Sequence, residues 1–360
     1  MCPMFVPGPV DVAPDVLAAQ TKAMLPHRSK EFEEIFRGVD AKARQIFYTQ
    51  YRVFVGTHSG SGMLEAAVRN FAERDVLCCV NGAFAQRWYD MAVANGKQVD
   101  KLEVPWGEAI TPDMLADALR RKHYEAVCIT HNETSTGVEN PVKQLAAVVH
   151  ELAPDTLVLV DAVSSLGGVK IEMDAWGIDF LLTSSQKCLA LPPGLSLAGT
   201  SDRALEKAKT VPNRGWYFDL VLLEQHRLKD STPMTPAMSL IFALDYQLDR
   251  ILAEGLDARF ARHAALSSKV QEWAAERGMD TLAKPGFRSK TVSTIQNARQ
   301  LNISELNKFL LERGMRIANG YGKLKDTTFR IATMGEIQMT DVDALLAAME
   351  DYMAIAAPAA

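Results

Sequence analysis

Short, nearly continuous apolar runs that alternate with helix-length amphipathic stretches constrain this chain more than any other feature. The runs are Val53–Val55, Val76–Val80, Ala126–Thr130, Leu157–Val160 and Phe180–Leu182. A strand with one wet face alternates apolar and polar residues, so an unbroken run predicts a strand covered on both faces. Helix signals lie between the runs. Thr111-Pro112-Asp113 supplies an N-cap hydroxyl, a proline for the first turn and an acid at the positive end of the helix dipole. Pro141 precedes Val142, Leu145, Val149 and Leu152, which fall on one helical face. This alternation predicts an α/β fold: a mainly parallel sheet sandwiched by helices, with right-handed crossovers and ligands held beyond the carboxyl ends of the strands.

After about Gly255 the texture changes. A helix over Ala258–Arg277 ends at Gly278, and strand-like segments follow at Thr291–Ile295, Met315–Ala318 and Thr328–Ala332. Two helices, capped by Ser304 and Thr340, complete a smaller α+β unit. The expected division is an arm over 1–15, a large domain over 16–256 and a small C-terminal domain over 257–360, with Ala354–Ala360 fraying. At 360 residues and 48% hydrophobic content the chain can bury two such cores. A net charge of −5 and no long basic run argue against nucleic acid or an anionic membrane as partner. The start, Met1-Cys2-Pro3-Met4-Phe5-Val6-Pro7, lacks a charged segment followed by an apolar one, and no stretch approaches a membrane span. A soluble, cytoplasmic protein is predicted. Cys78, Cys79 and Cys128 sit in apolar runs, as reduced, buried thiols do, and no cysteine spacing matches a zinc site, so no metal is expected.

Three elements carry chemistry. Asp161 directly follows the run Leu157–Val160, which places it at the carboxyl edge of the sheet. An Asx-turn is the ordinary fate of such an aspartate. The run Phe180–Leu182 then ends in Thr183-Ser184-Ser185-Gln186-Lys187, followed by Leu191-Pro192-Pro193-Gly194, which forces an irregular loop. Taken alone, Lys187 reads as a surface lysine extending from the next element. The third element is Thr57-His58-Ser59-Gly60-Ser61-Gly62 before a helix over Met63–Phe71. Small residues at a helix N-terminus leave N–H groups free for a phosphate. Phosphate cradle, strand-end acid and post-strand lysine are together the contacts that pyridoxal phosphate requires.

On these residues the chain resembles the class V, fold-type I aminotransferases, and within them the serine–pyruvate/alanine–glyoxylate group. The resemblance extends through Pro7-Gly8-Pro9, Asn81-Gly82-Ala83-Phe84, His131-Asn132-Glu133-Thr134-Ser135-Thr136-Gly137, Asp161–Gly168, Ser185-Gln186-Lys187 and Phe329-Arg330-Ile331. It implies pyridoxal phosphate held covalently by Lys187, with Asp161 at the pyridine nitrogen. Ser59, Gly60, Ser61 and Gln186 would hold the phosphate, Phe84 and Val163 would take the two ring faces, and Thr134 would bond near the phenolic oxygen. Thr232 and Thr235 would reach the phosphate of a neighbouring subunit in a homodimer. Many relatives carry Tyr at the position of Thr232 and His at that of Ser61. Arg330 would bind the substrate carboxylate, with Gly8 beside it. The reaction implied is transamination between a small α-amino acid, such as alanine or serine, and a 2-oxo acid such as pyruvate or glyoxylate. An aspartate-type aminotransferase or a lyase of the same class is the alternative.

Plainer roles compete for several of these residues: core for Phe84, a turn cap for Thr134, a helix N-cap for Ser231-Thr232, and a structural ion pair for Arg330. A cysteine desulfurase would need a catalytic thiol well beyond the lysine, and no cysteine follows Cys188. A non-catalytic scaffold of this fold would need neither Lys187 nor Asp161.

Overall fold

The computed structural model describes residues 3–356. In chain order the strands are β1 (Met4–Phe5), β2 (Arg52–Gly56), β3 (Asp75–Val80), β4 (Gln98–Glu103) and β5 (Ala126–Thr130). A short hairpin of β6 (Asn132–Glu133) and β7 (Val138–Glu139) precedes β8 (Leu157–Asp161), β9 (Phe180–Ser184) and β10 (Ser196–Thr200). The C-terminal part adds β11 (Val292–Gln296), β12 (Arg316–Asn319) and β13 (Thr328–Ala332). Seven strands pair in the order β2-β10-β9-β8-β5-β3-β4. All pairings are parallel except those of β10, which runs antiparallel to both β2 and β9.

The continuous apolar runs have a simple cause. Successive residues of a strand point to opposite faces, and both faces here are covered. In β3, Leu77 and Cys79 join one core while Val76, Cys78 and Val80 join another; in β8, Val158 and Val160 split from Leu157 and Leu159 in the same way. The first core is closed by the helices Lys30–Phe47, Val142–Leu152 and Met238–Glu254, and the second by Gly60–Phe71 and Ala83–Ala94. Each fully buried Val or Leu contributes roughly 1.5–3 kcal/mol, which holds β8 and its neighbours at the sheet centre. Cys78, Cys79, Cys128 and Cys188 are buried free thiols.

A second sheet, in the order β1-β12-β13-β11, carries the C-terminal part. Its first strand comes from the chain's start: β1 lies parallel to β12, with Phe5 opposite Ile317. This pairing draws residues 6–10 across the carboxyl edge of the large sheet, where the Val10 N–H donates to the Gln186 carbonyl at 3.2 Å.

Several boundaries differ from the sequence expectation. The helix at the Gly/Ser turn begins at Gly60 rather than Met63, and the long helix spans Leu256–Glu276. Asn302, not Ser304, caps the helix Ile303–Leu311, because its carboxamide oxygen accepts from both Ser304 and Glu305 N–H groups. Thr340 lies inside the helix Met339–Ala356. That helix also runs through Ala354–Ala356, where fraying was expected; 357–360 and Cys2 lie outside the described residues. Thr111 does cap its helix, accepting from Met114 N–H at 3.4 Å.

Candidate active site

The carboxyl ends of the adjacent central strands β5, β8 and β9 open into one cavity of about 260 Å³. Asp161 is the last residue of β8, and one of its oxygens accepts from the Val163 N–H at 2.8 Å. The Asx-turn is therefore real, and it uses one oxygen only; the carboxylate still lines the cavity. Lys187 follows β9 on a turn pinned from both sides. The Ser185 hydroxyl donates to the Pro192 carbonyl at 2.7 Å and accepts from Leu195 N–H, while Ala190 N–H donates to the Lys187 carbonyl at 2.8 Å. Above it, the Lys187 ammonium donates to the Pro7 carbonyl. Gly8 adopts φ +95°, and a Cβ there would stand 2.7 Å from Lys187 Cδ and Nζ. Position 8 thus requires glycine for its backbone and for the space.

The opposite wall is a helix N-terminus. Ser59 N-caps the helix Gly60–Phe71 without spending its hydroxyl on the cap; the Gly62 N–H donates to the Ser59 carbonyl at 2.9 Å, which leaves the hydroxyl and the Gly60 and Ser61 N–H groups for an anion. A Cβ on Gly60 would lie 2.8 Å from Val163 Cγ2, so the loop after Asp161 packs directly on this backbone. Ser59, Gly60, Ser61, Phe84, Thr134, Asp161, Val163, Gln186 and Lys187 all line the one cavity. Two polar atoms of its wall, Ser184 Oγ and Gln186 Oε1, are buried with no hydrogen-bond partner, a cost that native interiors rarely carry without a ligand or water.

Phe84 opens the helix Ala83–Ala94, and its N–H and that of Ala85 donate to the buried Glu133 carboxylate at 3.0 and 2.9 Å. The ring is half-buried at the cavity wall, with the Tyr321 ring 5.2 Å away. The Thr134 hydroxyl donates to Ser164 Oγ at 2.8 Å, and the following turn closes on the Glu133 carbonyl, so Thr134 is not the turn's cap. Arg330, 8% exposed on β13, donates to the Asn319 carbonyl at 3.1 Å and the Thr134 carbonyl at 3.3 Å. Among the described residues no carboxylate pairs with it, which removes the structural ion pair. Its guanidinium lies 5.4 Å from the Tyr321 ring centroid, beside the cavity rather than in its wall.

Thr232 and Thr235 do not reach this cavity. They line a small separate cleft with Thr57 and His58, and the Thr232 hydroxyl donates to the Met234 carbonyl at 2.7 Å. Nor does Ser231-Thr232 cap the next helix, whose N-cap is Ala237. Sequence reading missed Arg87, whose guanidinium sits 4.9 Å from the Phe84 ring centroid and lines the cavity. Its spacing of three residues from Phe84 places both on one helical face, a signal available in the sequence. Asn132 and Ser164 were also missed; only the fold brings them together, at 2.8 Å.

Burial dominates the electrostatics. It pushes the Lys187 ammonium down to about 8, with Arg330 and Arg87 assisting and the Asp161 carboxylate opposing. It raises the Asp161 carboxyl to about 6 against the pull of the Val163 N–H, with Glu133 adding to the rise. Both groups are thus held nearer to their neutral forms until a ligand supplies charge.

The family model of the class-V aminotransferases matches residues 15–354. The chain belongs to this family. Among its relatives, an uncharacterized aminotransferase of Methanocaldococcus jannaschii is 34% identical, covering 96% of this chain and 91% of its own. L-aspartate–glyoxylate aminotransferase of Paracoccus denitrificans is 32% identical over 95% of this chain and 88% of its own. The crystal structure of an alanine–glyoxylate aminotransferase from Nostoc superposes with a TM-score of 0.91 at 30% identity, covering 97% of this chain and 94% of that one. Membership implies pyridoxal phosphate for this aminotransferase. The residues present fit that group: an anion cradle, two unpartnered buried polar atoms, and a lysine and an acid on adjacent strand ends.

Proposed function

We propose that this aminotransferase holds pyridoxal phosphate on Lys187 and transfers the amino group of a small α-amino acid to a 2-oxo acid such as pyruvate or glyoxylate. The observation that carries the reading is the convergence of Lys187 and Asp161, from neighbouring parallel strands, on one cavity with the open helix end at Ser59–Ser61. When bound, the cofactor supplies an electron sink for charge developing at the substrate α-carbon.

The residues divide the work. Ser59, Gly60 and Ser61 would receive the phosphate, with the unpartnered Ser184 hydroxyl and the carboxamide N–H groups of Gln186 as further donors to it. Asp161 keeps its free oxygen for the ring nitrogen and holds a proton there. Phe84 and Val163, which line the cavity, would hold the ring between them, and Thr134 would bond to its phenolic oxygen. Once the substrate amine has displaced it from the cofactor, Lys187 would be a free amine that burial keeps nearer its neutral form, placed to take the proton from the substrate α-carbon. Arg330 binds the substrate carboxylate while Gly8 leaves room for Lys187 to move. Thr232 and Thr235, outside their own chain's cavity, serve the phosphate of a partner in a homodimer. A cytoplasmic location belongs to the same reading, since four buried free thiols suit a reducing compartment. No helix of the described residues is long and apolar enough to cross a membrane.

A second reading, with aspartate as donor, is favoured by Arg87, a further guanidinium in the cavity wall that could take a side-chain carboxylate. A panel of alanine, serine and aspartate against pyruvate, glyoxylate and 2-oxoglutarate decides between them. Borohydride reduction and peptide mapping test the cofactor site directly, and an adduct on any lysine but Lys187 overturns it.

A further inference from the structure

Arg259 is 1% exposed, in the first turn of the helix Leu256–Glu276, and takes no part in lining the cavity. Its Nε donates to the Gly167 carbonyl at 2.9 Å and its Nη2 to the Cys188 carbonyl at 2.8 Å. Gly167 stands at φ +85° in the loop after Asp161, and Cys188 is bonded to Lys187. No other described group donates to either carbonyl. The charge is met by Glu254 at 2.6 Å and by Glu336 Oε1 at 3.4 Å. Glu336 follows β13 and thus the Arg330 strand; its Oε1 also accepts from Gln247, which donates to the Leu189 carbonyl at 3.0 Å.

We propose that Arg259 is a positioning residue: it sets the separation of the Asp161 loop from the Lys187 turn and, through Glu336, ties both to the loop that follows Arg330. The proposal rests on the cofactor reading given above. A rigid, planar fork with several donors is the one side chain that can hold two carbonyls on different segments and still face two carboxylates. Arg259 also supports the fold, because removing it leaves the Gly167 and Cys188 carbonyls without a donor and breaks a buried ion pair with Glu254, which destabilises. Melting reads that loss, whereas the loss of geometry is read by the bound cofactor's signal and by the rate. Misplacing a reacting group by 1 Å costs on the order of 10²-fold in rate, so relaxation by a fraction of that predicts a loss of roughly tenfold.

The test compares Arg259→Met, Arg259→Lys and Glu336→Gln holoenzymes by the visible circular dichroism of bound pyridoxal phosphate, by kcat and KM, and by thermal melting. In Arg259→Met the visible band should change and kcat fall roughly tenfold, with pyridoxal phosphate still bound. Arg259→Lys, which keeps the charge but reaches only one carbonyl, should fall between. Glu336→Gln should keep the wild-type band and raise KM for the amino acid several-fold. A wild-type band and kcat in Arg259→Met, whatever its melting temperature, overturns the proposal. Should that variant fail to fold, the same result in Arg259→Lys overturns it. An unchanged KM in Glu336→Gln removes the link to Arg330. Wild-type protein that takes up no pyridoxal phosphate is a separate result, and it refutes the cofactor reading itself.

Discussion

Replacing Arg330 by lysine should cost this enzyme its grip on α-carboxylates while leaving the cofactor in place. The guanidinium is buried, no carboxylate of the described residues neutralises it, and its protein partners are two carbonyl oxygens at 3.1 and 3.3 Å. Burial presses against its charge, so an arriving carboxylate meets a desolvated cation. Losing one partner of such a pair costs about 2–5 kcal/mol, which is roughly thirtyfold to a few thousandfold in kcat/KM. Lysine keeps the charge but not the two-pronged geometry, and it cannot hold both carbonyls and the substrate. The assay is steady-state kinetics with an amino acid, a 2-oxo acid and a primary amine lacking a carboxylate, with the absorbance of bound cofactor recorded for each preparation. The amine should lose little. Equal loss with all three substrates, or release of cofactor, would refute the carboxylate role.

Lys187→Ala should abolish the visible absorbance of bound cofactor and nearly all turnover; a variant that keeps a borohydride-reducible adduct sinks the assignment. Asp161→Asn should bind the cofactor yet lose most of its rate, and its apoprotein should be more stable than wild type at neutral pH. The sign follows from burial: the Asp161 carboxyl titrates at about 6 when folded against an ordinary 3.8, so the folded state binds the extra proton and stability falls as pH rises through that window. The gain should approach about 3 kcal/mol above pH 6 and fade toward pH 4; a difference in melting temperature that does not depend on pH contradicts it. Gly60→Ala forces a Cβ to 2.8 Å from Val163 Cγ2, overpacking worth about 1–3 kcal/mol. Apoprotein titration should show weaker cofactor binding, and wild-type affinity would discard the cradle.

The sequence by itself determined what local pattern can encode. Runs such as Val76–Val80 and Leu157–Val160 are strands because only a doubly covered strand hides every successive side chain, and both lie where that rule puts them. Asp161 and Lys187 were legible because each directly follows such a run. Other elements carry no comparable signal. Gln98–Glu103 forms a strand at the open edge of the sheet, where neighbours on one side suffice and its side chains stay largely exposed. Ser196–Thr200 enters antiparallel between β2 and β9, a choice of partner and not of composition. The tertiary structure alone brought Gly8 over Lys187, through a strand pairing of Phe5 with Ile317, and Arg259 between the Gly167 and Cys188 carbonyls. Contacts between segments so far apart in the chain carry a loop-closure cost that no local propensity reports. They form because that arrangement covers the apolar faces and pairs buried backbone groups such as the Gly167 and Cys188 carbonyls.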